Sequence, residues 1–231
     1  MPDDAQAPPD PVPTRLVLIR HGESRSSVAR AIGGPRTCGG LSDLGRQQCE
    51  RLARRLGETG ELSDVVLYAS QYPRAAETAE IVAPALGGPE IHIDARFGEH
   101  DPGPDIDGLT FEEFLACYGM PDWESDPHAV TFPGGETIAD LHHRVGSAVR
   151  DVVAADPGRT IVVCCHGGVV NAVLRMALRA PVTGAFELFT TNASLTELVL
   201  VRPGRWRLQR YNDAAHLAGL PIETPRPSGP A

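Results

Sequence analysis

Long apolar runs are missing from this chain of 231 residues, and with them any candidate membrane span. The first residues also lack a basic region followed by an apolar stretch, so no secretory leader is expected and the cytoplasm is the expected compartment. Excess positive charge is missing too. At a formal net charge of -9 the summed field repels nucleic-acid backbones and anionic membranes, which leaves only a local cationic pocket for an anionic ligand. The five cysteines are odd in number and accompany no leader, so they read as reduced thiols rather than a disulfide framework. Cys164 and Cys165, inside an apolar run, read as small buried hydrophobes. No G-x-x-x-x-G-K-[ST] occurs, which argues against a nucleotide-hydrolysing P-loop. A cysteine-phosphatase loop would need arginine six positions after Cys165, where Asn171 stands. His142 and His143 project from different faces of one helix and lack a matching carboxylate–histidine spacing, so they read as a solvated helix face rather than a metal site. No internal repeat is visible, and nothing points to a cofactor.

What is present is one domain's worth of α/β pattern. Residues 1–13 (MPDDAQAPPDPVP) and 221–231 (PIETPRPSGPA) are too rich in proline and too poor in large apolar side chains to bury a core, and read as flexible tails. Between them, over 14–220, short β-branched runs alternate with segments of helical spacing. That alternation predicts a three-layer sandwich with a largely parallel central sheet flanked by helices. Strands are expected at RLVLIR (Arg15–Arg20), at DVVLYAS from Asp64, at TIVVCC (Thr160–Cys165), and near Leu195–Val201 and Trp206–Tyr211. Helices are expected from Ser42 as N-cap, over Arg74–Ala83 with Pro84 ending it, and from Thr137, where Asp140 completes a capping box. A further helix follows His166, Gly167 and Gly168. Residues 94–136 hold many Pro, Gly and Asp around one short helix near Thr110–Cys117, and read as an inserted excursion over the site.

Two strands end in the same punctuation, LVLIR-HG at Arg20–Gly22 and VVCC-HGG at Cys164–Gly168. In a parallel sheet such ends gather at one edge, where ligands bind. DVVLYAS leads through Gln71, Tyr72 and Pro73 to Arg74, adding a second arginine at that edge. Two guanidinium groups, two imidazoles and the N–H groups of helix N-termini suit a phosphoryl group, because guanidinium pairs bidentately with its oxygens and stays charged. Nearby Arg20 and Arg74 favour a neutral imidazole, the form with a ring nitrogen free to attack phosphorus.

At these residues the chain resembles the histidine phosphatase superfamily, which contains the cofactor-dependent phosphoglycerate mutases. RHGES (Arg20–Ser24) resembles its opening signature, LSDLGRQQ (Leu41–Gln48) its L-T-x-x-G-x-x-Q helix start, and ASQYPRAAETAE (Ala69–Glu80) its S-S-x-x-x-R-A-x-Q-T-A-E segment. ARFGEHDPG (Ala95–Gly103) followed by DGLTFEEF (Asp107–Phe114) resembles the acid-bearing segment, and FPGGET and CCHGG complete the order, over roughly residues 15–215. The resemblance implies a phosphoglycerate mutase-like fold and a metal-independent hydrolysis of phosphomonoesters. Carried over, it makes His21 the phosphorylated nucleophile, with Arg20, Arg74 and His166 gripping the phosphoryl oxygens, Gly22 and Gly167 bordering them, and Glu99 donating the proton. The expected partner is a small phosphorylated substrate, and the resemblance admits a homodimer that no sequence stripe specifies.

Two departures stand out. Ser27 replaces the asparagine found six residues after the nucleophile in many members, and a serine reaches less far towards phosphate. Glu99 is followed by HDPGPDIDG rather than D-F-G-x-W-E-G, which leaves Asp101 as the alternative acid. Glu136, in GGET, reads as a site-lining structural carboxylate. A mutase is the first rival, disfavoured because RFGEHDPG stands where mutases carry R-H-Y-G-x-L-x-G-L-N; a non-catalytic phospho-ligand-binding module is the second. Selectivity is expected in the 94–136 excursion, with Phe97, His100, Phe111 and Trp123 as candidate lining.

Overall fold

The run RLVLIR folds as expected because its side chains alternate between two apolar layers. In the computed structural model, which describes residues 12–123, 126–184 and 186–222, β1 spans Thr14–Arg20. Its Leu16 and Leu18 enter one core and its Val17 and Ile19 the other. The tail residues 1–11 and 223–231 lie outside the described residues. β2 (Val65–Ala69), β3 (Ile91–Ile93), β4 (Thr160–Cys165), β5 (Leu195–Arg202) and β6 (Arg205–Asp213) complete one sheet in the order β3-β2-β4-β1-β5-β6. The four strands from β3 to β1 run parallel, while β5 and β6 form an antiparallel hairpin at one end.

Six α-helices are described: α1 (Arg25–Val28), α2 (Asp43–Thr59), α3 (Pro73–Val82), α4 (Phe111–Tyr118), α5 (Ile138–Ala155) and α6 (Gly167–Leu178). α5 and α6 cover the face that carries Ile161, Val163 and Cys165; α2 and α3 cover the face that carries Val162 and Cys164. The adjacent cysteines therefore sit in opposite cores, each fully buried. The starts obey the capping rules. Ser42 accepts Gly45 N–H at the head of α2, and Thr137 and Asp140 bond reciprocally at the head of α5. α3 begins one residue earlier than expected, with Pro73 in its first turn, and passes at Val82 into a 3₁₀ turn that contains Pro84. None of the described helices is long and apolar enough to cross a membrane.

The excursion over 94–136 is laced down. Ile106, Phe114 and Phe132 form a small core of their own, and the carboxylate of Asp107 accepts from Gly34 N (2.8 Å) and Arg36 N (2.7 Å) and from the Thr37 hydroxyl. Ile32 N–H donates to Leu109 O at 2.7 Å and Gly108 N–H to Ile32 O at 2.9 Å. The segment after β1 and the excursion are thus tied into a single rim. Contrary to the expectation from sequence, Phe97 does not line that rim; it is fully buried in the core under α5.

Candidate active site

The sheet register brings the two histidines together. Arg20 of β1 pairs with Cys165 of β4, so the next residue on each strand is a histidine, and His21 N–H donates to Cys165 O at 2.9 Å. The ring centroids of His21 and His166 are 5.0 Å apart, edge to face. On the far side of β4, β2 ends at Ala69 opposite Cys164, and the turn through Ser70 and Tyr72 delivers Arg74 in the first turn of α3. Three neighbouring strand ends therefore converge.

Arg74 is only 5% exposed, and its single Nε–H faces two acceptors, His21 Nε2 at 3.2 Å and His166 Nδ1 at 3.3 Å. Its Nη1 donates to Gly33 O (3.0 Å) and Cys38 Sγ (3.3 Å), and the guanidinium carbon lies 4.6 Å from the Tyr72 ring centroid. These partners assign the ring protons. His21 Nδ1 lies 2.7 Å from Gly22 O, and a carbonyl only accepts, so Nδ1 carries the proton and Nε2 keeps its lone pair. On His166 the Arg74 N–H occupies Nδ1, leaving Nε2 to donate to Ser70 Oγ at 2.8 Å. The two rings are neutral and opposite tautomers. Burial, then the charge of Arg74, hold both well below the ordinary histidine range. Arg20 adds to that push at His21 against the Gly22 carbonyl, which opposes it.

Over these groups opens a cavity of about 240 Å³ lined by Arg20, His21, Arg74, Glu99, His100 and Ser27 among others. Ser27 sits at its exposed rim with its hydroxyl 2.9 Å from that of Ser24, the N-cap of α1. Arg20 Nη1 donates to Thr190 O, and Gly167, which opens α6, lies beside Arg20: a Cβ there would be 3.8 Å from Arg20 Nε. Gly22 is different. Its N–H donates to Thr78 Oγ1 at 3.2 Å, and a Cβ on it would lie 2.4 Å from Gly45 O, so glycine is needed for close backbone approach rather than to line the cavity.

Glu99 accepts from Gly168 N at 3.2 Å through Oε2, and from His100 N at 3.0 Å through Oε1. Its loop is held from behind by Arg144. That guanidinium donates to the carbonyls of Arg96, Gly98 and Glu99 at 2.8, 2.8 and 2.9 Å, and to both carboxylate oxygens of Glu136 at 2.6 and 2.8 Å. Glu136 thus acts as a structural counter-ion. Asp101 borders a separate cavity of about 170 Å³, and its carboxylate accepts from Gly103 N at 2.9 Å. Of the two candidate acids, only Glu99 lines the cavity with His21. Three residues that sequence reasoning did not single out belong here: Ser70, Arg144 and Asn192, whose Nδ2 donates to His21 O at 3.0 Å. Ser70 stood inside the ASQYPR motif and could have been found there; the other two carry no local signal. Among the described residues, no group of three or more His, Cys, Asp and Glu side chains could hold a metal ion.

The family model for the histidine phosphatase superfamily (branch 1) matches residues 16–214. The chain belongs to this superfamily. Among curated histidine phosphatase relatives, it is 33% identical over 205 residues to phosphoglycerate mutase-like protein 4 of Arabidopsis thaliana, covering 87% of this chain and 86% of the relative. It is 28% identical over 218 residues to the metal-independent phosphoserine phosphatase of the same plant, covering 90% of this chain and 84% of the relative. Among solved structures it superimposes on mycobacterial glucosyl-3-phosphoglycerate phosphatase in complex with VO3 with a TM-score of 0.69 at 28% identity, covering 86% of this chain and 99% of that one. Histidine phosphatase architecture and phosphatase-named relatives therefore accompany a cavity whose floor is a neutral, lone-pair-bearing imidazole beside two guanidinium groups.

Proposed function

We propose that the protein is a metal-independent phosphomonoester hydrolase working through a phosphohistidine on His21, with residues 14–220 as the catalytic domain. The observation that carries this reading is the fixed tautomer of His21: Nδ1–H held by Gly22 O, with Nε2 at the floor of a cavity that Arg20 and Arg74 make positive. His21 Nε2 donates its lone pair to phosphorus while the bond to the ester oxygen breaks and Glu99 protonates the departing alkoxide. Arg20, Arg74 and His166 meet the charge on the phosphoryl oxygens, with the Gly167 end of α6 alongside and Ser27 at the rim. Water then attacks phosphorus, Glu99 takes the water's proton, and the P–N bond breaks to return Nε2 with its lone pair. Gly22 serves by packing, and Asp101 has no part in the proton transfer.

The test compares wild type with His21→Ala on a chromogenic aryl phosphate in metal-free buffer, with acid quenching to trap the phosphoenzyme. Turnover should fall by about 10⁴-fold or more in the variant, and an acid-labile phosphoprotein should form only in wild type. Turnover surviving in His21→Ala, or a wild type that binds phosphate esters without releasing phosphate, would overturn the reading.

A further inference from the structure

Glu99 is part of the wall of the histidine cavity. Gly168, whose N–H holds Glu99 Oε2, also lines a larger cavity of about 440 Å³, and a Cβ on Gly168 would lie 2.2 Å from Glu99 Oε1. The missing side chain leaves the Glu99 carboxyl group between the two spaces. A second wall is shared as well. His100 of the smaller cavity packs edge to face against Trp123 of the larger one, with centroids 6.0 Å apart, and Phe132 lies 5.6 and 5.2 Å from those two rings. An ester oxygen within reach of Glu99 therefore has the larger cavity ahead of it for the rest of its alcohol.

That cavity has size but no excess of positive charge to offer, because Arg175 and Glu187 both belong to its lining. Arg175, 7% exposed, donates Nε to Asn171 Oδ1 (2.8 Å), Nη1 to Pro181 O (2.7 Å) and Nη2 to Phe186 O (2.5 Å), so it holds the wall together. His142 is kept neutral, pushed down to about 4 by burial and by Arg175. On the other flank of Glu99, Arg144 is engaged by three carbonyls and Glu136, and Asp101 adds negative charge. The chain contains no lysine. Beside Glu187 and the neutral polar Thr183 and Asn171, the described lining that remains is apolar, with Trp123, Ile138, Leu141, Val182 and Phe186 around it. A carboxylate or second phosphate placed here would be desolvated near the Glu187 carboxylate, with only the already engaged Arg175 as counter-ion.

Resting on the phosphatase reading, we infer that the larger cavity receives the alcohol part of the substrate and that this part is uncharged, bulky and mostly apolar. The substrate class is then a phosphomonoester of a neutral alcohol of at least phenylethyl size, rather than a phosphorylated amino acid or hydroxy acid.

The test uses the full chain and three alkyl esters: 2-phenylethyl phosphate, methyl phosphate and O-phosphoserine. We expect kcat/KM for the phenylethyl ester to exceed that of either other ester by tenfold or more. Val182→Trp, filling the cavity from the loop, and Ile138→Trp, filling it from α5, should each bring the phenylethyl-to-methyl ratio towards one. Phosphoserine turned over as well as the phenylethyl ester overturns the inference, as does an equal loss on all three esters in both tryptophan variants. Calorimetry on His21→Ala separates this from the parent reading. Preferential binding of the phenylethyl ester by that variant, with no hydrolysis by wild type, supports the cavity assignment while sinking the phosphatase mechanism; equal affinity for all three overturns the assignment itself.

Discussion

Arg74 and Arg210 are both well-covered guanidinium groups, and their surroundings are opposite in kind. Arg210, on β6, donates to Glu197 at 2.9 Å and to Glu61 at 2.5 Å, and Asp213 lies 3.5 Å away. Arg55 shares Glu61 and Asp213, and Arg15 shares Glu197, so each positive charge there is met by carboxylates and Asp213 is driven down to about 2. The described contacts of Arg74 are two imidazoles, a carbonyl, a thiol and an aromatic face, with no carboxylate among them. Burying a cation beside two neutral imidazoles costs stability. The contrast is between an arginine whose charge is met by carboxylates and one whose described contacts include none.

The largest expected effect would break that contrast at its charged end. Arg74→Met should lower kcat/KM by about 10²–10³-fold, the usual loss for a donor to transferring oxygens, while the melting temperature stays level or rises. A melting temperature that drops in step with activity would make Arg74 a structural arginine like Arg210.

The pH dependence sharpens the contrast, because the two regions titrate in separate windows. His21, His142, His166 and His216 are all held below the ordinary histidine value, chiefly by burial, and His142 and His216 sit at about 4. Depressed histidines bind more protons unfolded than folded, so their contribution is complete above about pH 6.5 and is lost as pH falls towards the folded values. Thermal melts should stay flat above pH 7, and the melting temperature should fall as the pH drops through 6. The carboxylate network, with Asp213 at about 2, should hold until the pH falls below the ordinary aspartate range. A melting temperature that rose on acidification through pH 6 would contradict the neutral rings.

Glu99→Gln should slow hydrolysis of alkyl esters by about 10²-fold and spare aryl esters, whose leaving groups need little protonation. Asp101→Asn should change neither by more than about twofold, and a reversal of the two would move the acid to Asp101. Arg210→Met should leave kcat intact and cost about 2 kcal/mol of stability, read as a melting shift of roughly 4–8 °C. The smallest effect belongs to Ser70→Ala. Loss of its hydrogen bonds to His166 and Tyr72 N should cost about 1 kcal/mol of stability, read as a melting shift of roughly 2–4 °C, with kcat within about fivefold of wild type.

The central pair of strands was readable because RLVLIR has a fully buried centre, TIVVCC is buried throughout, and each is followed directly by a histidine. Once β1 and β4 are neighbours in register, the two rings must meet. The capping box of α5 was equally legible, since Thr137 with Asp140 is a contact within four residues. β3 went unseen because Ile91–Ile93 is three residues at a sheet edge, too short for alternation to register. Arg144 went unseen for a different reason. Three of its partners are backbone carbonyls 45 to 48 residues away in the chain, which carry no side-chain signature. Gly22 shows a constraint that its motif does not reveal: its N–H is engaged by Thr78, and the nearby carbonyl of Gly45 leaves no room for a side chain.

One hydrogen, on Nε of Arg74, stands between two imidazole nitrogens at nearly equal range. It therefore works as a built-in gauge. Under the proposed mechanism, a His21 Nε2 bonded to phosphorus could no longer accept, and the hydrogen bond would pass wholly to His166. The resonance frequency of that guanidinium N–H would then report, in an intact working molecule and without any added label on the substrate, how much of the population carries the phosphoryl group at a given moment.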